Sequence, residues 1–242
     1  MRLDDVAKLD LARAARTGLP EIVLAEGKLD AHLVDVTRAF VETTGRALVS
    51  RLAPERARLV SGLSPQSRYS AEAGFLALGA PAPRTGGRVL VLAAGTADVP
   101  VAEEARLVAE ELGCETRRHY DVGVAGLHRL FPALDDAEWA DVMIVAAGRE
   151  GALATVVSGL VDRPVIGLPV SVGYGHGGKG EAALSAMLQA CSPLLVVNID
   201  AGTVAGASAA QIANRVARAR QSPGESERRR QDALSPSVAR RE

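Results

Sequence analysis

The chain has 242 residues, of which 48% are hydrophobic and only 3% aromatic, and its formal net charge is −1. This length suits one large domain or one domain with a smaller appendage, and the charge gives no field that would recruit nucleic acid or an anionic membrane. We find no signal-peptide pattern and no apolar run of transmembrane length. Two cysteines are too few for a disulfide framework. We therefore expect a cytoplasmic protein with free thiols and with neither nucleic-acid nor membrane partners.

Residues 1–80 predict a small, mainly helical N-terminal domain. The segment Pro54–Gly79 predicts loops with a short helix, because small residues and scattered arginines dominate it. A stretch rich in proline and glycine, residues 81–87, predicts a linker. Apolar spacing predicts two helices and two short strands in the N-terminal domain, over Leu3–Thr17, His32–Thr43, Glu21–Ala25 and Ala47–Leu52.

Residues 88–220 predict an α/β domain with a doubly wound sheet of five parallel strands. Short apolar runs alternate with segments of helical length, the pattern of a parallel sheet covered by helices. The residues after 220 are rich in Arg, Glu, Ser and Pro, so 221–242 predict a disordered tail. The predicted strands are Arg88–Ala93, Glu115–Tyr120, Val142–Ala146, Val165–Val170 and Leu194–Ile199.

The loop after the first of these strands is a candidate phosphate site. Ligands of open parallel sheets bind beyond the carboxyl ends of the strands, and Gly95 and Thr96 stand there before a helix. They suit an anion, whereas Asp98 would repel one. Asp98 therefore has one of two roles. Either it contacts a sugar hydroxyl or a metal or transfers a proton, or it only caps the helix, and the spacing favours neither role. The loop is not a GxGxxG fingerprint, which argues against a dehydrogenase.

Three further loops follow strand ends. Asp121 suits either a ligand-facing loop or an Asx turn, with the turn favoured. Gly148 precedes Glu150, which is either a general acid or base or a carboxylate placed at a helix start. Residues 171–180 hold five glycines in ten positions, which indicates a flexible lid or an anion cradle. The candidate binding residues in that loop are Ser171, Gly173 and Gly175.

Cys191 follows a predicted helix with an apolar face. Spacings of three and four residues place the thiol with Leu184, Met187 and Leu188, which predicts a small buried hydrophobe. A helix C-terminus does not lower a thiol pKa. From spacing alone, Cys191 is a structural residue.

Four motifs in this order resemble the LarB family. They are GTADVPVAEEA, YDVGVAGLHRL, VAAGREGALATVVSGLVDRPVIGLPVSVGYG and MLQACSPLLVVNIDAG. The resemblance also reaches RTGLPEIVLAEGK, and it covers Leu11 to Ala217. Members of the LarB family are pyridinium-3,5-biscarboxylic acid mononucleotide synthases, which act in nickel-pincer nucleotide cofactor biosynthesis. The core is similar, more distantly, to aminoimidazole ribonucleotide carboxylases and mutases. That similarity implies a flavodoxin-like sheet and a homo-oligomer, often an octamer.

The resemblance implies a substrate and a mechanism. The substrates are nicotinic acid adenine dinucleotide and carbon dioxide or bicarbonate. Cys191 is the nucleophile that adds to the pyridinium ring, which then attacks carbon dioxide through its 5 position. Hydrolysis of the phosphoanhydride, assisted by Mg²⁺ with ligands unknown, releases AMP. Asp98 and Glu150 are the candidates for proton transfer and substrate orientation, and the glycine loops hold the phosphates.

Two departures leave alternatives open. Ala154-Thr155 stands where many relatives have Pro-Ser, and GHGGKGEAAL replaces a commoner loop with Phe-Gly-Gly. A purine-type carboxylase or mutase is the first alternative, although the histidine of its GAAHLPG-like motif is missing from 151–154. The second is a non-catalytic nucleotide-binding module with Cys191 in its core.

Overall fold

The computed structural model describes residues 7–221. The tail predicted as disordered, apart from Gln221, lies outside the described residues. Two sheets, one of four strands and one of five, organise the described chain. Within 7–221, no helix combines the length and apolarity that a membrane span requires.

The N-terminal sheet has the strand order β1-β2-β4-β3. β1 pairs with β2 in parallel, and β4 pairs with both β2 and β3 in antiparallel fashion. Buried apolar side chains such as Val23, Leu33, Phe40 and Leu76 form a separate core beneath this sheet. The elements are α1 (Arg13–Thr17), β1 (Ile22–Leu24), α2 (Asp30–Thr44), β2 (Ala47–Ser50), α3 (Pro54–Val60), β3 (Ser67–Ser70) and β4 (Phe75–Leu78).

Two local predictions for this domain are wrong. The segment predicted as loops with a short helix contains the β3–β4 hairpin after α3. Its polar β3 shows no apolar alternation, and Arg68 in that strand pairs instead with Glu111 at 3.0 Å. The helix predicted from Leu3 is confined, among the described residues, to α1. The backbone N–H of Asp10 donates to Glu21 Oε2 at 3.2 Å, a contact that draws this segment toward β1.

The second sheet is parallel throughout and has the order β6-β5-β7-β8-β9. This is the strand order of flavodoxin-like, doubly wound folds, as predicted. The polar strand β6 lies at one edge, also as predicted, and the short β9 lies at the other. The strands are β5 (Arg88–Ala93), β6 (Glu115–His119), β7 (Val142–Ala147), β8 (Val165–Pro169) and β9 (Leu195–Val196).

Helices cover both faces of this sheet because the side chains of each strand alternate between them. Val91 and Ile144 pack with α4 and α8 on one face, and Leu92 and Met143 pack with α5, α6 and α7 on the other. The short helix predicted over Gly126–Phe131 is a 3-10 turn that runs into α5. The helices are α4 (Val99–Glu111), α5 (Leu130–Leu134), α6 (Ala152–Ser158), α7 (Glu181–Leu188) and α8 (Gly202–Gln221).

Candidate active site at the carboxyl edge of the parallel sheet

The loops that leave β5, β7 and β8 meet at one point of the carboxyl edge. Gly148 lies between the other two loops, and a Cβ built on it would stand 2.5 Å from the Val172 carbonyl oxygen and 2.8 Å from Asp98 Oδ1. Only glycine fits a space that narrow. The fold thus brings together Asp98, Gly148 and the start of the glycine-rich loop, as their positions after neighbouring strands predict.

Asp98 is buried, with 6% of its surface exposed. Burial raises the pKa of its carboxyl, and the charge of Glu150 adds to this, whereas hydrogen bonds from the backbone of Gly95 and Gly148 oppose it. Its Oδ2 accepts from the Gly95 N–H at 2.8 Å and makes no capping bond to α4. The bond from Gly95 belongs to a capping box around the 3-10 turn Thr96–Asp98, which runs directly into α4, so Asp98 caps that turn and is also buried at the site. A desolvated carboxyl with a raised pKa suits proton transfer.

The neighbouring candidates are more open to solvent. Thr96 and Glu150 are exposed, so their side chains are available to a ligand. Arg149 donates from Nη1 to the Tyr174 hydroxyl at 2.8 Å, and its guanidinium carbon lies 4.6 Å from the centre of that ring. This pair connects the loop after β7 with the glycine-rich loop after β8. It presents the exposed aromatic ring of Tyr174 on the glycine-rich loop.

The glycine-rich loop is held at its first residue. The backbone N–H of Ser171 donates to Asp200 Oδ1 at 2.8 Å, so the loop after β9 fixes the loop after β8. Gly173 and Gly175 follow and are exposed, and Gly175 adopts a φ of 81°. A backbone of this kind can turn its N–H groups toward an anion.

Backbone strain is concentrated near this edge. Four non-glycine residues of the described chain have positive φ, namely Arg51, Asp121, Lys179 and Asp200. Such conformations persist where the surroundings enforce them, and they are common at functional sites. Asp121 is exposed and paired with Arg129. Its carboxylate is thus engaged by an arginine side chain, and neither the ligand contact nor the Asx turn is decided by this pairing.

Cys191 is placed differently from its sequence prediction. α7 ends at Leu188, so the helical spacing does not extend to the thiol. Met187 is buried as predicted, but Leu188 is 65% exposed and Cys191 is exposed as well. The prediction of a buried cysteine on the inner face of the helix is therefore wrong. The thiol is free to meet another molecule.

Within one chain, Cys191 lies at the opposite edge from Asp98. It follows α7 and precedes β9, which places it at the amino edge of the parallel sheet. The adjacent Ser192 confirms this, because its Oγ lies 2.5 Å from that of Ser158 and 3.3 Å from the Thr155 carbonyl oxygen. Both partners belong to the last turn of α6, which runs from the carboxyl edge to the amino edge.

The two parts of the chain match two family descriptions. Residues 2–80 match the LarB/PurE-like N-terminal domain, and residues 88–232 match AIR carboxylase. The chain belongs to the LarB family. A carboxylase-type function accompanies these domains, in agreement with the resemblance carried by the sequence motifs.

Two relatives show how far the similarity extends. An uncharacterised protein of Methanocaldococcus jannaschii is 40% identical over 226 residues, which is 87% of this chain and 85% of that protein. A probable N5-carboxyaminoimidazole ribonucleotide mutase of Methanothermobacter thermautotrophicus is 36% identical over 133 residues. The second match covers 52% of this chain and 37% of that protein.

Two acidic residues of α4 in this LarB-family chain lie in the protein interior. They are Glu103 and Glu104, with 4% and 5% of their surfaces exposed. Burial opposes ionisation of Glu103, but hydrogen bonds from Arg106 and Tyr120 outweigh it and lower its pKa to about 2. Burial raises the pKa of Glu104, which accepts a hydrogen bond from Ser50 of the N-terminal domain. The sequence signal for the burial of these two residues is that their carboxylates lie within an otherwise apolar helix face.

Cys114 is a structural cysteine, as predicted. Its thiol is buried, and its Sγ lies 3.3 Å from Asn214 Oδ1. Burial raises the pKa of Cys114 to about 12, so the reactive thiolate is scarce at neutral pH. Of the two cysteines, Cys191 is the one accessible to chemistry.

The described side chains do not by themselves form a metal site. Over 7–221, no group of three or more His, Cys, Asp or Glu side chains is arranged to hold an ion. The Mg²⁺ implied by the resemblance stays a prediction, because this ion commonly binds through one or two carboxylates together with substrate phosphates.

Gly148→Ala is expected to lower activity and stability together. The added methyl group would overlap the Val172 carbonyl oxygen and the Asp98 carboxylate, and such overpacking typically costs about 1–3 kcal/mol. Urea denaturation and an activity assay measure the two effects. Gly159→Ala is the matched control, because its nearest atoms are 3.5 Å away and its φ of −85° suits alanine. Equal behaviour of the two variants would contradict the tight approach.

Proposed function

We propose that this chain carboxylates the pyridinium ring of nicotinic acid adenine dinucleotide at C5 and hydrolyses its phosphoanhydride. The products are pyridinium-3,5-biscarboxylic acid mononucleotide and AMP. This reaction would be the first step of nickel-pincer nucleotide cofactor synthesis. The observation that carries the proposal is the buried Asp98, with its raised pKa, beside an anion-suited loop at the carboxyl edge. Membership of the LarB family supports this choice of substrate.

The nucleotide would bind along the carboxyl edge. Backbone N–H groups of the loop that begins at Ser171, together with Gly95 and the Thr96 hydroxyl, are suited to the phosphates. The exposed Tyr174 ring offers a flat apolar surface next to them. This arrangement would leave the pyridinium end of the substrate near Asp98.

The Cys191 thiolate would supply the electrons for carboxylation. It forms a C–S bond to the cationic ring, which then has enamine character and attacks carbon dioxide through C5. Asp98 accepts the C5 proton, the C–S bond breaks, and the returning electron pair restores aromaticity and frees the thiolate. A raised pKa makes Asp98 a stronger base than an ordinary carboxylate. Glu150, exposed nearby, would orient the substrate.

This mechanism requires a homo-oligomer. Cys191 and Asp98 lie at opposite edges of one sheet, so the thiol would reach the site from a neighbouring copy of the chain. The surface around Cys191 suits such a contact, because it is apolar and exposed. Leu188 is 65% exposed, Leu195 is 53% exposed, and Leu160, which follows the end of α6, is 52% exposed. An octamer is one assembly that would place the edges together.

A purine-type carboxylase or mutase is the second candidate. The AIR carboxylase match and the similarity to a probable mutase favour it. The segment 151–154, which starts α6 at the carboxyl edge, carries no histidine to perform that chemistry. We therefore place it second.

Mass spectrometry of the products tests the proposal. The purified protein is incubated with nicotinic acid adenine dinucleotide, ¹³C-bicarbonate and Mg²⁺. We expect AMP and a mononucleotide that carries one labelled carboxyl group, from the wild type and from Cys114→Ala but not from Cys191→Ala. Labelled product from aminoimidazole ribonucleotide instead would favour the second candidate. Nucleotide binding with neither product would indicate a non-catalytic binding module.

A further inference from the structure

The end of β2 contacts the parallel-sheet core through two consecutive residues. Ser50 donates from Oγ to Glu104 Oε1 at 2.5 Å, and Arg51 donates from Nη2 to the Asp200 carbonyl oxygen at 3.0 Å. The N-terminal domain is therefore joined by side-chain hydrogen bonds to α4 and to the loop after β9. The second contact joins residues that are 149 positions apart in the sequence.

Asp200 connects this contact to the candidate active site. Its carbonyl oxygen accepts from Arg51, while its carboxylate accepts from the Ser171 N–H at 2.8 Å. A single residue thus bonds to the N-terminal domain on one side and to the first residue of the glycine-rich loop on the other. Movement of the Asp200 turn would move Ser171 with it.

The backbone at both ends of the contact is strained. Arg51 has a φ of 51° and Asp200 a φ of 54°, which lie in the left-handed region that non-glycine residues adopt only at an energetic cost. Glu26 Oε2 lies 2.8 Å from Arg51 Nη1 and fixes the direction of the guanidinium. Backbone strain at both residues of one hydrogen bond indicates that the geometry of the Asp200 turn serves a function.

The contact is a weak candidate for a purely stabilising role. The Arg51 side chain is 43% exposed and its partner Glu26 is 63% exposed, and ion pairs of that exposure contribute little to stability. Glu104 is buried beside Ser50, and a Cβ on Gly202 would lie 2.4 Å from its Oε2. Close packing around Glu104 already holds the two domains together, so Arg51 is not needed for that purpose.

We infer that Arg51 is a positioning residue, through which the N-terminal domain holds the Asp200 turn and thereby the nucleotide loop that starts at Ser171. The identity of the nucleotide rests on the proposed function above, whereas the positioning itself does not. The N-terminal domain thereby stabilises the position of the proposed phosphate-binding loop. The guanidinium acts through Asp200 and does not touch the substrate.

Hydrogen exchange of the loop tests the inference directly. In Arg51→Ala, we expect amide exchange in peptides that cover 171–178 to quicken about tenfold, because a hydrogen bond to a charged donor is lost. The dissociation constant for nicotinic acid adenine dinucleotide, measured by calorimetry, should rise by about the same factor. Arg38→Ala is the matched control, since Arg38 pairs with Asp35 at 3.5 Å on the surface of α2. It should change neither quantity.

Substitutions of Asp200 provide a second test. Asp200→Asn keeps a side-chain oxygen for the Ser171 N–H and tolerates the left-handed backbone, so protection of the loop should be retained. Asp200→Ala loses both properties, so the amides of its 171–178 loop should exchange as fast as those of Arg51→Ala. Unchanged loop exchange in Arg51→Ala would overturn the inference, as would faster exchange spread evenly over the protein.

The two proposals fail in different ways. If the wild type makes no carboxylated product but Arg51→Ala still loosens 171–178, the proposed reaction is wrong and the positioning role stands. If the wild type is active and Arg51→Ala equals it in loop exchange, KM and kcat, the positioning role alone is wrong. If the role is right, KM should rise and kcat should change less.

Discussion

Two inactive variants should recover carboxylation when they are produced together. Cys191→Ala lacks the nucleophile and Asp98→Asn lacks the proton acceptor, so each alone should lose activity almost completely. Because the two residues lie at opposite edges of one sheet, a complete site takes Cys191 from one copy and Asp98 from another. Random assembly of equal amounts should leave about a quarter of the sites with both intact residues. Product formation by co-expressed, co-purified chains measures this.

Co-expression of Cys191→Ala with the doubly substituted chain is the control. That mixture contains no intact Cys191, so it should stay inactive although it forms the same assembly. Size-exclusion chromatography with light scattering checks that each mixture has the mass of the wild-type oligomer. Failure of the first mixture to exceed this control would show that copies do not share the site, and the proposed role of Cys191 would fall.

Asp98→Asn is expected to weaken catalysis while it strengthens the fold. Loss of a general base typically lowers a rate by about 10²–10⁴-fold. Burial raises the pKa of Asp98, so the folded state binds more protons than the unfolded state between the ordinary value of 3.8 and the raised value. The free energy of unfolding contributed by Asp98 therefore falls as pH rises through that window. Above that window the ionised, desolvated carboxylate destabilises the fold, and asparagine removes this cost.

Urea denaturation from pH 4 to pH 8 measures the effect on stability. We expect the curves of wild type and Asp98→Asn to converge at the acid end and to separate at neutral pH, with the variant more stable. Asp35→Asn removes a carboxylate from the surface of α2, where 49% of the side chain is exposed, and it controls for the change in net charge. A variant that is less stable at pH 7 and fully active would refute both expectations.

The parallel core could be predicted because its signals are local. Runs such as Val142–Ala147 are apolar and bounded by loop residues, so period and length identify them as buried strands. Their order places Asp98 and Gly148 at one edge without further information. What the sequence could not decide is the environment of Asp98, because its burial depends on the loop after β7, whose Gly148 lies against the carboxylate.

Most of the wrong predictions share one physical cause, which is that contacts between residues distant in sequence override the local pattern. β3 has four residues of mixed polarity, and it is a strand because β4 pairs with it and Arg68 reaches Glu111. Arg51 gave no signal in its own segment, since its partner Asp200 is far along the chain. The error at Cys191 is different, because helical spacing was extended past Leu188 to a residue that the helix does not include.

The position of α8 has a consequence for the order of folding during synthesis. Residues such as Ala205, Ala209 and Ala213 are fully buried in the cluster that covers one face of β5 and β7. That face stays open until 202–221 have left the ribosome, so the core would be among the last regions to close. All four strands of the N-terminal sheet come from 22–78 and can pair much earlier. The N-terminal domain, including Arg51, would then already be folded when the Asp200 turn emerges from the ribosome.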